Sequence, residues 1–353
     1  MTVRFRATGK FGGVERLSLD DVEQLSAQML IASGASTLQA GATARSIRAA
    51  EAEGIRTVGL SYLPTYCDHV ACGKVVGNAV PIVTTPRAAV VLVDAGNGFC
   101  HPAFEAGAES LVDATRTCGI GMLAITHSYS AGVLGWFVEH LASEGLVALM
   151  FANSSPAVAP HGGHRPLFGT NPIAWATPRA GGAPVVADMS SSAVAYVSIS
   201  AAAAAGESIP LGWALDADGE PTTDPHAALA GAMLPAGGHK GSALALLVDI
   251  MCGGVAASNF SFEASGFGGN EGGPPDVGQV IVAIDPAVSA GTGFVNRIEV
   301  LLEEMTSQPG VRLPGDRRLL SRRHTIDNGV DVPDDLMATL RTYAAHGSPA
   351  RPL

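Results

Sequence analysis

The segment from Gly238 to Ser258, GHKGSALALLVDIMCGGVAAS, places a histidine and a lysine between glycines, directly before a long apolar helical pattern. The first residues of a helix carry free backbone amides and the positive end of the helix dipole, so they attract anions. His239 and Lys240 add potential cations at that position. The segment therefore predicts a site for a phosphate or a carboxylate, although a surface turn whose lysine lies over apolar neighbours has the same pattern.

A second candidate site lies in the segment THSYSAG, between a predicted strand and a predicted helix. Ser128 and Ser130 offer hydroxyl groups, and the small residues Ala131 and Gly132 let an anion approach the backbone amides at the start of the helix. His127 ends the strand, where its side chain can face the same crevice. A lone histidine is compatible with a structural role as well as with catalysis.

Polar residues also follow other predicted strands. Asp188 comes after PVVA and is followed by Met189 and Ser190, Asn153 comes after LMFA, and Thr170 and Asn171 lie in the turn GTNP. The carboxyl ends of parallel strands share one edge of a sheet, and ligands commonly bind there. We therefore expect these residues to converge on a ligand, while each of them alone is also typical of a cap or a turn.

Several familiar motifs can be set aside. The segment GIGMLA has the spacing of a dinucleotide fingerprint, but it follows a predicted helix and precedes a strand. The fingerprint needs a strand, a glycine turn and then a helix. His161 and His164 in HGGHR have no carboxylate or cysteine partners at ligand spacing, so a loop that contacts phosphate is preferred to a zinc site. The chain has neither a G-x-S-x-G elbow nor a GKS or GKT phosphate loop.

The elements that must position these residues alternate between strands and helices. Ser18 is predicted to cap a first helix, a second covers roughly residues 40 to 54, and the strand AAVVLVDAG precedes the helix HPAFEAGAESLVDATRTCG. Further strands are predicted in GMLAITHS, LVALMFANSS, APVVADMSSS and GQVIVAIDP. This order indicates β–α–β units with right-handed crossovers. The basic tail RLPGDRRLLSRRH is typical of a solvated surface helix.

Composition narrows the class of protein. The 353 residues carry a formal net charge of −11, which argues against a general nucleic-acid binder. No apolar run reaches the ~18 residues that cross a bilayer, so we expect no contact with a membrane. The amino terminus lacks an apolar signal core, and the five cysteines are odd in number and scattered. Both features indicate a protein of the reducing cytoplasm.

Four longer segments resemble the type-2 malate/L-lactate dehydrogenases, namely SSPAVAPHGGHRPLFGTNPIAWATP, ADMSSSAV, GESIPLGWALDADGEPTTDP and LPAGGHKGSALALLVDIMCG. The resemblance implies an α/β fold that is not a Rossmann fold, with a mixed sheet flanked by helices and with interleaved domains. Residues 1–118 and 280–353 would form a helical unit for substrate binding and dimerisation, and residues 119–279 an NAD(P)-binding unit. Members of this family reduce 2-oxo acids or cyclic ketimine acids with NADH or NADPH, and they are usually dimers.

The resemblance also implies a branch, a cofactor and roles for residues. FSFEASGFGGNEGGPPDVGQVIVAIDP is similar to the branch that acts on Δ1-piperideine-2-carboxylate and Δ1-pyrroline-2-carboxylate, so NADPH is expected, with NADH as the alternative and no metal. His127 and Asp188 are implied to be catalytic, and His239 to reach the substrate as well. The implied cofactor contacts are His127, Ser128, Ser130, Ala131, Gly132, Asn153, His164, Thr170, Asn171, Asp188, Met189, Ser190, His239, Lys240, Gly241, Arg312 and Arg317.

Two departures from the family pattern concern the substrate. Where the family has SHG followed three residues later by arginine, this chain has TVGLSY, so Val58 stands for the histidine after Thr57 and Tyr62 stands for the arginine. Where the family has ARGK, this chain has AYVS, with Tyr196 and Ser198 in place of basic residues. An arginine binds a carboxylate through two charge-assisted hydrogen bonds, whereas a tyrosine donates only one. An altered substrate is therefore expected at Thr57, Val58 and Tyr62.

The leading hypothesis is an NAD(P)H-dependent reductase of a C=N bond, in a cyclic imine or ketimine acid of unusual amino-acid or natural-product biosynthesis. An iminium accepts hydride readily, whereas a ketone needs an acid that protonates the developing alkoxide, so the missing histidine favours the imine. Two alternatives stay open. One is a 2-hydroxy-acid dehydrogenase of the malate, lactate or ureidoglycolate type, and the other is a non-catalytic scaffold that keeps the cofactor cleft. In every case a homodimer with a small-molecule ligand is expected.

Overall fold

The computed structural model describes residues 10–11 and 13–351 of the chain. The strands are β1 Lys10–Phe11, β2 Val14–Leu17, β3 Ile82–Arg87, β4 Val90–Asp94, β5 Ile120–Ser128, β6 Val147–Ala152, β7 Ile173–Thr177, β8 Val185–Met189, β9 Ala214–Leu215, β10 Ala232–Met233, β11 Val277–Ile284 and β12 Val330–Pro333. The helices are α1 Leu19–Ala32, α2 Thr37–Ala52, α3 Leu63–Cys72, α4 Cys100–Cys118, α5 Leu134–Ser143, α6 Tyr196–Ala205, α7 Pro225–Ala230, α8 His239–Asp249, α9 Pro286–Ala290, α10 Phe294–Thr306, α11 Asp316–Asn328 and α12 Asp334–His346. A π-helical turn, Ile250–Val255, continues α8, and 3₁₀ turns cover Arg56–Val58 and Gly291–Gly293. Within the described ranges, no helix is long and apolar enough to cross a bilayer.

The helix starts follow from side-chain caps. Ser18 Oγ accepts from the Asp21 amide at 3.1 Å, and Asp21 Oδ2 accepts from the Ser18 amide at 3.1 Å, so α1 begins with a capping box as predicted for Ser18. The second helix begins earlier than predicted because Ser36 Oγ accepts from the Gln39 amide at 3.3 Å. The basic tail forms α11, in agreement with its predicted helix.

Seven strands of residues 13–351 form one sheet in the order β3-β4-β5-β11-β6-β7-β8. β4 pairs parallel to β5, and β11 lies antiparallel between β5 and β6. β7 lies antiparallel between β6 and β8. Consequently β4, β5, β6 and β8 all end at one edge of the sheet, and β7 and β11 begin there. The predicted mixed sheet is confirmed.

Several cores hold the sheet and its neighbours together. Helices α4 and α5 cover one face of the sheet around Phe104 and Leu141. Helix α8 and its π-helical turn cover the other face around Cys252. A separate core around Met29 joins α1, α3 and α12, and another around Phe168 holds the segment between β6 and α8. The carboxyl ends of β4, β5, β6 and β8 therefore lie where these packed units meet.

The predicted units share this sheet. Strands β3 and β4 come from the segment 1–118, and β11 begins at Val277 and continues beyond residue 280. These strands pair into the same sheet as β5 to β8. The division of the chain at residues 118 and 280 stays a prediction. One sheet contains strands from both sides of residue 118, and residue 280 lies within one of its strands.

The rejected fingerprint GIGMLA lies at a helix-to-strand junction. α4 ends at Cys118, Gly119 with φ of 79° caps it, and β5 begins at Ile120. A dinucleotide fingerprint needs the opposite order, with a helix after the glycine turn. The prediction that this segment is no such fingerprint is confirmed.

Candidate active site

The polar residues predicted at strand ends lie along one edge of the sheet. His127 is the residue before last in β5, Asp188 is the residue before last in β8, and Asn153 directly follows β6. Thr170 and Asn171 come just before β7 begins. Because β5, β6 and β8 run in the same direction, their carboxyl ends share this edge. The expected alignment of these positions is present, while their contacts with a ligand stay predictions.

His127 and Asp188 stand apart along this edge. Three strands, β11, β6 and β7, separate β5 from β8. Neighbouring strands lie about 4.8 Å apart, so the two residues belong to strands about 19 Å apart. Direct proton transfer needs a hydrogen-bond distance, or one bridging water. The structure thus does not bring these two candidate catalytic residues together.

His127 is oriented by its neighbours. Its Nδ1 lies 3.1 Å from Asp94 Oδ1, and its backbone amide donates to Ser258 Oγ at 3.2 Å. Its φ of 47° lies in the left-handed region, which residues other than glycine seldom adopt. Burial raises the pKa of Asp276 nearby, and its Oδ1 is buried with no hydrogen-bond partner. The half-exposed imidazole of His127 therefore bonds to Asp94, and Asp276 is near enough to interact with it electrostatically.

The predicted anion-binding start of α5 binds a carboxylate of the protein itself. The Gly135 amide, in the first turn of α5, donates to Asp188 Oδ2 at 2.9 Å. In the preceding loop, Gly132 has φ of 64° and its amide donates to Ser130 Oγ at 3.3 Å. Asp188 therefore ties β8 to the start of α5, which is a contact that neither segment reveals by itself.

Asp188 lies next to charged side chains that sequence patterns missed. Surrounding protein atoms raise the pKa of Asp188 by desolvation, although the residue keeps access to solvent. The Gly135 amide and Arg318 lower this pKa, and Glu53 raises it. Arg318 Nε donates to Glu53 Oε2 at 2.5 Å, and its guanidinium occupies the space that a Cβ on Gly135 would need. The carboxylate of Asp188 is therefore set among opposing charges.

The arginines that reach this network differ from the predicted ones. Arg312 and Arg317 are exposed. Arg322 donates to Glu53 and, at 2.6 Å, to Glu139 Oε2, so it extends the contacts of Arg318. Arg318 and Arg322 are four residues apart on α11 and so share a helix face. That spacing is the signal that could have pointed to them.

Asn153 and Asn171 are buried and bind other parts of the protein. Asn153 Nδ2 donates to Asp249 Oδ1 at 3.2 Å, and Asn171 Nδ2 donates to the Ala245 carbonyl at 2.9 Å. Asp249 and Ala245 both belong to α8. The two asparagines therefore fasten α8 to the sheet edge, whatever they contribute to a ligand.

The other predicted contact residues of this edge differ in exposure. Ser190 Oγ donates to the Thr170 carbonyl at 3.3 Å, which links the ends of β8 and the turn before β7. Ser128 and Ala131 are buried, whereas Met189 is exposed. An exposed member such as Met189 can therefore contact a ligand with its side chain, whereas the buried Ser128 and Ala131 can do so only through the backbone.

The start of α8 has the features predicted for an anion site. His239 and Lys240 are its first residues, and both are exposed. The two glycines before them have φ of 63° and 64°, a conformation that favours glycine. Gly241 is buried so closely that a Cβ would lie 2.3 Å from the Ala236 carbonyl oxygen. The turn is therefore closely packed at Gly241, and it begins a helix whose first amides have no partner within the helix.

A cavity of about 580 Å³ adjoins this turn. His161 and His164 line it together with Gly219 and Gly238, and the ring centroids of His161 and His239 are 6.1 Å apart. The volume lies in the usual range for small-molecule sites, and imidazoles beside free amides suit a phosphorylated ligand. The residues present therefore fit part of a dinucleotide.

The substituted substrate segment lies between α2 and α3. Thr57 is exposed and Val58 half-buried in the 3₁₀ turn after α2. Tyr62 precedes α3, and its hydroxyl donates to the Phe267 carbonyl at 2.8 Å. Burial raises the pKa of Tyr62, so the phenol stays uncharged. An uncharged side chain thus occupies the position at which the resemblance places an arginine.

Comparison with known proteins decides the family. The family model of malate/L-lactate dehydrogenases matches residues 17–341. This chain belongs to the malate/L-lactate dehydrogenase family. A family relative, (2R)-3-sulfolactate dehydrogenase (NADP(+)) of Chromohalobacter salexigens, is 45% identical over 93% of this chain and 98% of its own. Δ1-Pyrroline-2-carboxylate/Δ1-piperideine-2-carboxylate reductase of Pseudomonas syringae pv. tomato is 39% identical over 94% of this chain and 97% of its own.

Solved structures of similar proteins agree with this fold. The crystal structure of Δ1-piperideine-2-carboxylate reductase from Pseudomonas syringae matches with a TM-score of 0.89 at 39% identity, over 93% of this chain and 99% of that chain. A dehydrogenase from Sinorhizobium meliloti matches with a TM-score of 0.85 at 30% identity, over 94% and 98% of the two chains. The predicted family resemblance and fold class are confirmed, and the chain is an oxidoreductase of the malate/L-lactate dehydrogenase family.

Proposed function

We propose that this protein is an NADPH-dependent reductase of the C=N bond of a cyclic imine or ketimine acid. The Pseudomonas syringae relative is named as a reductase of two such compounds. The observation that carries the proposal is the pair Val58 and Tyr62, because one side chain is apolar and the hydroxyl of the other already donates to the Phe267 carbonyl. Reduction of a ketone needs an acid that protonates the developing alkoxide, whereas an iminium needs none, so this pocket favours C=N over C=O.

NADPH is the proposed cofactor, and it supplies the hydride when bound. The proposed phosphate contacts are His239, Lys240 and Gly241 at the start of α8, with His164 in the adjoining cavity. Arg312 and Arg317 are proposed for the ribose phosphate. Positive side chains in an otherwise acidic chain favour NADPH over NADH, and the sulfolactate dehydrogenase relative carries NADP(+) in its name. Equal kcat/KM values with the two cofactors would contradict this preference.

Asp188 is the proposed group that protonates the imine nitrogen before hydride transfer, so that the substrate accepts the hydride as an iminium. The Gly135 amide fixes one of its oxygens, and desolvation raises its pKa, so it keeps a proton at higher pH than an ordinary aspartate. His127 is proposed to act on the cofactor side, where Asp94 orients its ring. Because their strands are separated, the two residues serve different steps.

Consumption of NADPH with defined substrates tests the proposed function. The cyclic imines are Δ1-piperideine-2-carboxylate, Δ1-pyrroline-2-carboxylate and 2-methyl-Δ1-piperideine, in which a methyl group replaces the carboxylate. The oxo acids are 3-sulfopyruvate and oxaloacetate. We expect at least one imine to have a kcat/KM at least about tenfold above the oxo acids. NADPH binding with no consumption in either group would support the non-catalytic scaffold instead.

A 2-hydroxy-acid dehydrogenase is the second candidate function. The observation that favours it is the 45% identity to (2R)-3-sulfolactate dehydrogenase, whose named substrate is a 2-hydroxy acid. In that case Asp188, or another group, must protonate the alkoxide in place of the missing histidine. Reduction of 3-sulfopyruvate without turnover of any imine would establish this candidate.

A homodimer is proposed from the outer face of α8 and its π-helical turn. Leu244, Leu247, Ile250 and Val255 on this face are between 41% and 49% exposed. A helix at the surface of a monomer normally turns polar residues to water, and exposed apolar faces of this kind mark contacts with other proteins. A second copy of this chain is the proposed partner, in keeping with the resemblance to a family of dimers.

The cytoplasm is the proposed location. All five cysteines lie within the described residues and are free thiols, four of them buried. Free thiols persist in reducing compartments. Equal thermal stability with and without a thiol reductant would support this proposal, and a disulfide formed in the cell would contradict it.

A further inference from the structure

Lys74, two residues beyond α3, is buried with 1% exposure. Its Nζ donates to the carbonyl oxygens of Gly266, Gly269 and Glu271 at 2.5, 2.8 and 2.7 Å. An ammonium group has three protons, and all three are used here, which offsets the loss of water on burial. Lys74 therefore fixes three carbonyls of residues 266–271, which we name the glycine segment.

Two side chains of α3 also hold the glycine segment. His69 Nε2 lies 3.1 Å from the Gly269 carbonyl oxygen, which only accepts, so this nitrogen carries the proton. Nδ1 consequently accepts from the Tyr129 hydroxyl at 2.5 Å. Burial lowers the pKa of His69 to about 4, so the ring is neutral near pH 7. Cys72 Sγ donates to the Asn270 carbonyl at 3.5 Å.

The glycine segment determines the surroundings of Tyr62 through Phe267. The Phe267 carbonyl accepts from the Tyr62 hydroxyl, and the Phe267 ring meets Tyr129 edge to face with 5.2 Å between centroids. Tyr62 also packs edge-on against Tyr66, at 4.8 Å between centroids. The proton of the Tyr62 hydroxyl is therefore used, and the half-buried ring is held as a neutral wall.

The charges around Tyr62 disfavour an anion. Lys74 uses all three of its protons in hydrogen bonds to carbonyl oxygens, and His69 is neutral. The Phe267 carbonyl presents a negative partial charge. A carboxylate placed beside Tyr62 would lose water without gaining a hydrogen bond from Lys74 or His69, which is costly. An apolar group would instead meet aromatic surface.

We propose that Lys74 and His69 are positioning residues that hold the glycine segment against Tyr62, and that the substrate group beside Tyr62 is uncharged and apolar. The proposal rests on the proposed C=N reductase function and narrows its substrate class. It selects cyclic imines whose imine carbon carries an apolar substituent in place of the carboxylate that an arginine would bind.

A matched pair of ligands tests the substrate class. 2-Methylpiperidine and pipecolate differ only in the group at one carbon, and calorimetry on the protein loaded with NADP(+) measures their binding without turnover. We expect 2-methylpiperidine to bind at least as tightly as pipecolate, and 2-methyl-Δ1-piperideine to be reduced at least as efficiently as Δ1-piperideine-2-carboxylate. Pipecolate binding that is about a hundredfold tighter would overturn the inference.

Two variants of Tyr62 assign the preference to this position. Tyr62→Arg introduces a bidentate donor, so the ratio of the two dissociation constants should shift about tenfold toward pipecolate. Tyr62→Phe keeps the ring, removes the hydroxyl and serves as the control, with a ratio within about threefold of that of the unmodified protein. An unchanged ratio in Tyr62→Arg would also refute the inference.

Lys74→Met tests the positioning role. The methionine has a similar length and no protons to donate, so the glycine segment should loosen and the Kd of 2-methylpiperidine should rise about tenfold while the Kd of NADPH stays unchanged. An unaltered Kd of 2-methylpiperidine in the folded variant would disprove this role, and if the variant does not fold, His69→Gln takes its place. If 2-methylpiperidine binds at least as tightly as pipecolate but no imine is reduced, only the proposed function is contradicted. If the C=N bond of Δ1-piperideine-2-carboxylate is reduced fast and pipecolate binds more tightly, only this inference is contradicted.

Discussion

At the scale of single residues, Asp188 carries the main catalytic prediction. Asp188→Asn keeps the shape of the side chain and removes its ability to give and take a proton. We expect kcat/KM for the imine to fall about a hundredfold, in the range of general acid–base catalysis, with little change in the Kd of NADPH. Asp218→Asn, an exposed carboxylate of the turn after β9, is the matched control. A loss smaller than about threefold would exclude Asp188 as the proton-transferring group.

The pKa of Asp188 gives a prediction for the pH dependence. Desolvation is the largest cause of its raised pKa and favours the protonated form in the folded protein. A proton donor is active only while protonated, so kcat/KM should fall as the pH rises through the raised pKa. The raised pKa of Asp188 also contributes to the stability of the folded protein. This contribution is fully present below the pKa of Asp188 in the unfolded chain, and it is lost as the pH rises through the pKa of Asp188 in the folded protein. Superimposable pH profiles of the unmodified protein and Asp188→Asn would contradict this assignment.

At the scale of elements, the turn into α8 must stay closely packed to present His239 and Lys240. A Cβ at Gly241 would lie 2.3 Å from the Ala236 carbonyl oxygen, and a backbone atom cannot rotate away. Gly241→Ala should therefore displace the turn, destabilise the protein by about 2 kcal/mol and weaken NADPH binding. In Gly254→Ala, the control, the added Cβ has no atom within 4 Å. Equal NADPH affinity of the two variants, measured by fluorescence titration, would show that the turn does not shape the site.

The elements show where prediction from sequence succeeds and where it ends. The strand in GQVIVAIDP is predicted by its apolar run, but its place between β5 and β6 depends on pairing with residues far away in the chain. Likewise, the polar end of β8 and the small residues before α5 are both visible, whereas the bond from the Gly135 amide to Asp188 is not. Local patterns specify an element and its exposed groups, and long-range contacts such as that between Arg318 and Glu53 depend on the whole packing.

At the scale of the whole molecule, the proposed substrate and cofactor sides meet at the loop after β5. Ser128 pairs with Val277 inside the sheet, while the next residue, Tyr129, is packed in the helical core that contains α3. A shift of the helical core would therefore move the loop that contains Ser130 and the start of α5. Tyr62 packs against the same helical core, so this connection links the substituted segment to the predicted site residues on the sheet.

The proposed dimer is the prediction that involves the whole molecule. Leu247→Glu together with Ile250→Glu places two charges on the exposed apolar face of α8, where burial against a second copy would leave them unpaired. We expect sedimentation velocity to show a dimer for the unmodified protein and a monomer for this variant. Leu320→Glu on α11, at a leucine that is 63% exposed, is the control and should stay dimeric. Because α8 also begins with His239 and Lys240, loss of the dimer should weaken NADPH binding, and a variant that sediments as a dimer would exclude this face as the interface.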